Sequence, residues 1–337
     1  MKKIVIAFVI SLLFTVALSA QVKLHYWGDG ETFLQEQASF IIEEVYKTLA
    51  AYPPGTSAGN ERRLALFALD ALFHDTRLDH GTAFLAYMDR MAGNVAEALG
   101  KNKPTGNVIR VFRFYNHGFI VQTPSVTVGI DLVRGGRADH PFISEPSMRS
   151  VVEQCDIMFI THKHGDHTDL SVIKMFCEQG KQVIVPEEIG EGLAPQLRVL
   201  RGVDMIRETI RVTGKNVSLR VQVYPGKQGN MLNNVYAITL PEGKTIMHTG
   251  DQDYSDDLVA KISSNVKVDV LFVQCWMLPM EKFVSGVKPV LVIPGHENEM
   301  MHTIDHREAY WLTFRRMSGV EAPYVVMGVG ENYLINF

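Results

Sequence analysis

Cysteine is scarce in this 337-residue chain, which contains only Cys155, Cys177 and Cys275. All three lie in or beside apolar runs, and none has the short paired spacing of a zinc-binding knuckle. An odd, scattered set argues against a disulfide framework, with one bridge as the alternative if the chain enters an oxidising compartment. We therefore expect buried free thiols that behave as small hydrophobic side chains.

An excess of basic residues is also lacking, since the formal net charge is −4 at pH 7. A nucleic-acid-binding protein would carry a basic patch or stripe, so we expect no nucleic-acid partner. Low-complexity tracts are absent, and hydrophobic residues make up 46% of the chain against 21% charged residues. This balance is typical of a globular protein and excludes disorder as an account of the chain.

Long hydrophobic runs are lacking except in residues 1–20, MKKIVIAFVISLLFTVALSA. Two lysines precede an apolar stretch that ends in small residues before Gln21, which is the pattern of a secretory signal peptide. The alternative is a membrane anchor, but the stretch is shorter than the ~20 residues needed to span a bilayer. We expect cleavage, a mature chain of net charge −6 without a stable membrane anchor, and a periplasmic or secreted location.

Residues 31–100 have helical periodicity, with apolar residues recurring every three to four positions. The segments YPPGTSAGN and HDTRLDHG interrupt the pattern, so we predict three helices. At NKPTGN the composition changes to turn residues and then to β-rich sequence. We assign residues 21–105 to a small N-terminal helical module and residues 106–337 to a second domain.

The second domain alternates between strand-like and helical patterns, as in CDIMFI, DLSVIKMFCEQG and QVIVP. Such alternation predicts a layered α/β fold. The runs VSLRVQVYPG and VYAITLPEGKTIMHTGD read as antiparallel hairpin strands, the second with PEGK as its turn. We therefore expect a sheet that is not purely parallel.

The stretch THKHGDHTD, residues 161–169, concentrates three of the twelve histidines in nine residues. It follows the apolar strand CDIMFI and precedes a helix for which Thr168 or Asp169 is the predicted cap. The stretch thus occupies a strand-to-helix loop, where α/β folds place their functional sites. A polar loop whose histidines only cap and solvate is the weaker interpretation.

The residue types in this loop are metal ligands. His162 and His164, two apart in an extended segment, can face the same side, and Gly165 permits a bend that turns Asp166 and His167 towards a second centre. Nitrogen and carboxylate ligands at this density suit zinc or a similar divalent ion. We therefore predict a metal site here.

The HxHxDH pattern resembles the signature of the metallo-β-lactamase-fold hydrolases. Three other features resemble further motifs of that family and occur in the same order along the chain. They are Asp131 at the end of an early strand, HTGD with Asp251, and IPGHE with His296. The resemblance covers roughly residues 108–337. It implies a four-layer αββα sandwich, preceded in this chain by the helical module.

The resemblance also implies roles for individual residues and a cofactor. His162 and His164 would bind one metal, Asp166, His167 and His296 the other, Asp251 would bridge both, and Asp131 would orient a ligand histidine. The expected cofactor is zinc, one or two ions, with manganese or another divalent metal as the alternative. A metal lowers the pKa of a coordinated water so that hydroxide can attack, and Asp251 or Asp166 would handle the proton.

Three further residues are predicted to lie near the pocket. His117 and His248 would line or buttress it by resemblance to a group that includes ascorbate-phosphate lactonases and phosphodiesterase-type members. Trp276 in VQCWMLPM would form an apolar wall, although a plain core position is an equal alternative. His302 and His306, four apart, are interpreted as a solvated helix face or pocket rim, and less readily as a helical metal site.

One histidine that the resemblance requires is missing, because residues 168–247 contain none. Its expected position falls in VYPGKQGN. There Lys227 could bring a charge and polarise the substrate as a catalytic residue, or Gln228 or Asn230 could supply an oxygen ligand. The alternatives are two metals with the first bound weakly, one metal at the second site, or a degenerate pocket.

The main functional hypothesis is an exported metal-dependent hydrolase that uses a metal-bound hydroxide on a small-molecule ester, lactone or phosphodiester. The alternative is a catalytically degenerate binding protein that has kept the metallo-β-lactamase fold. A β-lactam hydrolase is disfavoured by the missing ligand and by the long helical module. Neither the substrate nor the oligomeric state follows from the sequence.

Overall fold

The computed structural model describes residues 29–101, 103–190, 196–200 and 204–337. The predicted signal peptide, residues 1–20, lies outside the described residues. In the described part of the chain, no helix combines the length and the hydrophobicity that a membrane span requires.

The three helices predicted for the N-terminal module are confirmed, and their breaks fall in the predicted segments. Asp169, one of the two predicted caps, accepts hydrogen bonds from the backbone N–H groups of Ser171 and Val172 at the start of the helix that begins at Leu170. The α-helices are α1 (Gly30–Ala51), α2 (Asn60–Phe73), α3 (Thr82–Lys101), α4 (Glu145–Gln154), α5 (Leu170–Glu178), α6 (Asp256–Asn265), α7 (Met280–Val287) and α8 (Tyr310–Met317).

The strands form two large sheets and one small ribbon. They are β1 (Val108–Arg113), β2 (Phe119–Gln122), β3 (Thr127–Ile130), β4 (Gly136–Arg137), β5 (His140–Pro141), β6 (Ile157–Phe159), β7 (Gln182–Pro186), β8 (Leu197–Leu200), β9 (Ile206–Arg211), β10 (Ser218–Gln228), β11 (Met231–Thr239), β12 (Thr245–His248), β13 (Val270–Gln274), β14 (Leu291–Gly295) and β15 (Asn332–Asn336). One sheet has the order β15-β1-β2-β3-β6-β7-β8, and the other has the order β14-β13-β12-β11-β10-β9. The ribbon pairs β4 with β5.

The two large sheets pack face to face, with helices on both outer faces. Between the sheets lies an apolar core in which the ring of Phe119 in β2 stacks on that of Phe272 in β13, with centroids 4.3 Å apart. A second core joins the outer face of the seven-stranded sheet to α1–α5 and α8, and a third joins the other sheet to α6 and α7. The predicted four-layer αββα sandwich with a preceding helical segment is therefore confirmed.

Both sheets mix parallel and antiparallel pairs, as the hairpin patterns predicted. Strands β3, β6, β7 and β8 are parallel neighbours, and so are β12, β13 and β14, whereas β10 and β11 form an antiparallel hairpin. Parallel strands buried on both faces direct their carboxyl ends to the same edge of the sheet. The loops that follow β3, β6, β12 and β14 therefore meet at one end of the sandwich.

The cysteines agree with the sequence analysis. None of the three forms a disulfide, Cys155 and Cys275 are buried, and Cys177 is partly buried. Burial raises the pKa of the Cys155 thiol to about 12, because an apolar environment disfavours the thiolate. These side chains act as core packing and offer no reactive sulfur.

Candidate metal centre

Four side chains from three loops converge at the carboxyl end of the sandwich. Asp166 and His167 follow β6, Asp251 follows β12, and His296 follows β14. We call these four residues centre B. Its Asp251 is buried, as are both histidines, and the Asp166 side chain is 12% exposed.

The ligand atoms of centre B have the spacing of a coordination shell. The Nε2 atom of His167 lies 3.6 Å from Asp166 Oδ2 and 3.1 Å from Asp251 Oδ1. The Nε2 atom of His296 lies 3.3 Å from Asp166 Oδ2 and 3.4 Å from Asp251 Oδ1. Ligands held ~2.1 Å from a tetrahedral ion lie about 3.4 Å from one another. The residues present therefore fit a divalent cation.

A second group, which we call centre A, consists of His162, His164 and Asp251. The Nε2 atom of His162 lies 3.1 Å from His164 Nδ1 and 3.7 Å from Asp251 Oδ2. The two oxygens of Asp251 thus face different centres, Oδ1 towards B and Oδ2 towards A. This arrangement suits a carboxylate that bridges two ions.

Hydrogen bonds behind the ligands fix which ring nitrogen each histidine presents. The carboxylate of Asp131 accepts from the Thr161 hydroxyl at 2.7 Å and from His167 Nδ1 at 2.8 Å. Because the Thr161 proton is used there, its oxygen is free to accept from His162 Nδ1 at 3.0 Å. Both histidines therefore direct Nε2 towards the centres. Asp131 is fully buried, so it positions ligands and does not reach a substrate.

Three residues around the centres adopt left-handed backbone conformations that non-glycine residues rarely take: Asn116 with φ 53°, Asp131 with φ 49° and His296 with φ 80°. Each such conformation costs on the order of 1–3 kcal/mol and persists only where the surroundings hold it. Asn116 donates from Nδ2 to the backbone oxygen of Asp166 at 3.0 Å and to its Oδ2 at 3.1 Å. Its own backbone oxygen accepts from His296 N at 3.2 Å.

The sequence analysis missed Asn116 and Thr161 as members of the site. A signal for Asn116 was present in the turn-like segment YNHG, because asparagine tolerates positive φ better than most residues. Thr161 immediately precedes the HxHxDH pattern but is not a ligand type, and its role depends on Asp131, thirty positions earlier.

The carboxylates of centre B keep both of its histidines protonated when no cation is present. Burial disfavours the imidazolium of His167, but the carboxylates of Asp251, Asp166 and Asp131 outweigh burial and hold its pKa well above the usual range. Burial opposes charge at His296 as well, yet Asp251 and Asp166 raise its pKa to about 10. At centre A, burial and the nearby His167 lower the pKa of His162 to about 3.

Metal binding at centre B should therefore release protons. Because His167 and His296 are both protonated below their raised pKa values, an incoming cation must displace about two protons at pH 7.5. The apparent affinity should rise with pH by up to about a hundredfold per unit in this range. Calorimetric titration of zinc in buffers with different ionisation enthalpies measures the released protons. Binding without proton release would contradict this description of the centre.

The predicted pocket histidines His117 and His248 lie behind the ligands. His248 donates from Nε2 to the backbone oxygen of His117 at 2.9 Å and accepts at Nδ1 from Gly250 N at 3.0 Å. Burial lowers the pKa of His248 to about 4, so this ring is neutral. The two rings pack 4.2 Å apart, and both are fully buried, which is the geometry of a buttress and not of a pocket lining.

Two other predicted residues lie beside centre B. The ring of Trp276 packs edge-on against His296, 5.9 Å between centroids, and is partly exposed, so it forms a wall of the site. The ring of His302 stacks on His296 at 5.7 Å, and its Nε2 lies 3.9 Å from Asp166 Oδ2. His306 is 76% exposed, and the segment Ile304–His306 is a 3₁₀ turn, not the predicted α-helix.

The structure does not bring Lys227 to the metal centres. Its side chain is exposed, while the next residue, Gln228, donates from Nε2 to Asp251 Oδ2 at 3.2 Å. Successive residues of a strand point to opposite faces, so only one of the pair can face Asp251. Of the three candidates for the missing ligand position, Gln228 is the one that contacts a centre, since Asn230 is also exposed.

Comparison with known proteins agrees with this geometry. A family model described as Beta-lactamase superfamily domain matches residues 127–309, more than half of the chain, including every residue of both centres. A comparison with curated protein sequences gives no match.

Among solved structures, the chain is similar to Igni18, a metallo hydrolase from the hyperthermophilic archaeon Ignicoccus hospitalis, with 17% identity and a TM-score of 0.50. That match covers 68% of this chain and 99% of the archaeal one. The chain is also similar to an isothiocyanate hydrolase from Delia radicum gut bacteria, with 14% identity and a TM-score of 0.51, covering 68% of this chain and 98% of the other. At these identities the likeness is one of fold.

Proposed function

Because this chain belongs to the β-lactamase superfamily and has the metallo-β-lactamase fold, we propose that it is a metal-dependent hydrolase of a small-molecule ester, lactone or phosphodiester. The observation that carries the proposal is the convergence of four ligand atoms at centre B with separations of 3.1–3.6 Å. Fold membership alone would not suffice, because one fold hosts many activities.

Unsatisfied polar atoms in centre B support a resident cation. The atoms His167 Nε2, His296 Nε2 and Asp251 Oδ1 are buried and form no well-directed hydrogen bond among the described residues, although each histidine is ion-paired with Asp251 at 3.1–3.4 Å. Buried polar atoms in native proteins nearly always have a well-directed partner, so three atoms that lack one and face the same space support a bound cation. A divalent ion supplies Lewis acidity and lowers the pKa of a water ligand towards ~7.

The side chains around the centres are placed for proton transfer and for contact with a substrate. Asp166 is the carboxylate with some solvent exposure, and Asn116 holds its Oδ2, so it is placed to accept the proton of an attacking water. Trp276 offers an apolar wall beside His296, and His302 stands at the rim. Carbonyl and phosphoryl centres are the electrophiles that water attacks in such a site.

Zinc is the proposed metal, with manganese as the alternative, because imidazole and carboxylate ligands suit both. Export to the periplasm or outside the cell is proposed from residues 1–20 alone. Cell fractionation with the N-terminal sequence of the mature chain would test it, and we expect the chain to begin at Gln21.

Turnover should depend on added metal. Chelator-stripped protein is mixed with nitrophenyl esters, lactones and bis(nitrophenyl) phosphate, with and without zinc, manganese or cobalt. We expect metal-stimulated hydrolysis of at least one class, unchanged in the surface variant Asp257→Asn, whose side chain is 76% exposed. Metal binding without hydrolysis of any class would instead favour a binding protein that has kept this fold.

A further inference from the structure

The two centres are unequal, because centre B has four ligand side chains and centre A has three. We propose that the side-chain oxygen of Gln228 is the fourth protein ligand of centre A, so that the chain holds two divalent ions. The proposal rests on the proposed function only in that both require a cation at centre B.

The position of Gln228 supports this role. It is the last residue of β10, paired with Met231 across the hairpin to β11, and its amide reaches to 3.2 Å from Asp251 Oδ2. The other amide atom, Oε1, is buried and has no hydrogen-bond partner among the described residues. An amide oxygen without a partner, on a side chain that contacts the shared carboxylate of centre A, is an available cation ligand.

The amide can present either atom to the centre. The nitrogen and oxygen of a glutamine side chain are nearly equal in size, and a half-turn about its last bond exchanges them. Nε2 now lies 3.2 Å from Asp251 Oδ2, so in the exchanged orientation Oε1 would take up that separation, which is comparable to the 3.1 and 3.7 Å found in centre A. These values bracket the ~3.4 Å expected between ligands of one tetrahedral ion. A cation attracts the oxygen and repels the N–H groups, so occupancy selects this orientation.

The backbone around Gln228 is fastened to the loop that carries Asp251. Lys227 N donates to Gln252 Oε1 at 2.8 Å, Asp253 N donates to Lys227 O at 2.8 Å, and Gly229 N donates to Asp253 Oδ2 at 2.6 Å. A Cβ atom on Gly226 would overlap Gln252 Oε1 and lie 2.8 Å from the backbone oxygen of Asn233, so the close approach requires glycine there. The hairpin end and Asp251 are therefore held in a fixed relation, as a ligand pair must be.

The chemistry of an amide oxygen predicts the order of filling. Oxygen is a weaker zinc donor than imidazole nitrogen, and it suits manganese and other harder ions better. Centre A should therefore bind zinc more weakly than centre B and fill second. Replacing Gln228 with histidine, which offers an imidazole nitrogen in place of the amide oxygen, should raise the zinc affinity of centre A.

The test is metal stoichiometry and affinity, measured by titrating zinc and cobalt into stripped full-length mature protein. The wild type should bind two ions per chain, Gln228→Ala one, and Gln228→His two, with the weaker zinc site tightened by about tenfold or more. Asn230→Ala is the matched control from the same hairpin, and it should retain two ions. In a cobalt titration, the absorption of the first equivalent should be the same in wild type and in Gln228→Ala, and the absorption of the second equivalent should be absent from the variant.

Two results would overturn the proposal while leaving centre B intact: one ion per chain in wild type and Gln228→Ala alike, or two ions in both with equal affinities. Gln228→His tests the same point by gain of affinity, so a folding defect in the alanine variant cannot decide the outcome. No ion at all in the wild type would overturn both this proposal and the proposed function.

Discussion

Replacing Asp251 with alanine should remove metal from both centres and lower turnover by at least about a thousandfold, equivalent to ~4 kcal/mol of barrier. The reason is geometric, because Oδ1 of Asp251 faces His167 and His296 while Oδ2 faces His162. No other side chain described here faces both centres. The variant also removes from His167 and His296 one of the carboxylates that each of them pairs with.

The measurement is the metal content of desalted protein together with turnover on whichever substrate responds to metal. Asp251→Asn keeps the size of the side chain and removes the charge, so it should lose metal with less effect on folding. Asp257→Asn again serves as the surface control. If Asp251→Ala retained both ions and its turnover, the metal would not be bound at centres A and B as assigned here.

Replacing Asp70 with alanine should lower the free energy of unfolding by about 3 kcal/mol and weaken metal binding at centre B by about tenfold. Asp70 lies on α2 of the helical module, yet its buried carboxylate accepts from Asn298 Nδ2 at 2.8 Å, Tyr310 N at 2.8 Å and Trp311 N at 3.1 Å. It thereby caps α8 and holds the loop that begins with His296. Removing it leaves buried donors unpaired.

A second contact between the module and this loop is made by Arg307, which pairs with Asp79 at 2.6 Å and donates to the backbone oxygens of Phe73, Met300 and His302. The module thus acts on the site through the His296 loop. Chemical denaturation and zinc titration of Asp70→Ala test this role, with Glu97→Ala, at an exposed position of α3, as the control. Unchanged zinc affinity in a destabilised Asp70 variant would restrict the module to a packing role.

Four of the ligands could be predicted from a local sequence pattern. His162, His164, Asp166 and His167 lie in one nine-residue loop, and strand-to-helix loops of α/β sheets meet at one edge. Asp251 and His296 lie far from this loop in the chain, and their assignment as ligands was implied by the resemblance to the metallo-β-lactamase-fold hydrolases. In the structure both follow strands that end at the same edge.

Other parts of the site depend on register and on contacts between distant segments, which a sequence pattern does not contain. Whether Lys227 or Gln228 faces Asp251 depends on a one-residue register in the β10–β11 hairpin, since a shift by one turns every side chain over. The hydrogen bond from Asn298 to Asp70 spans 228 positions in the chain. His302 and His306 have helical spacing, but Ile304–His306 forms a 3₁₀ turn, and Arg307 Nε donates a hydrogen bond to the backbone oxygen of His302 across it.

The most direct test of the account is an anomalous difference map, collected at the zinc edge, from a crystal of the mature protein soaked in zinc. The account predicts a peak enclosed by Asp166, His167, Asp251 and His296, and a second, weaker peak between His162, His164, Asp251 and Gln228. A map with no peak at Asp251, or with zinc only at surface histidines such as His306, would contradict the assignment of these residues as a metal centre.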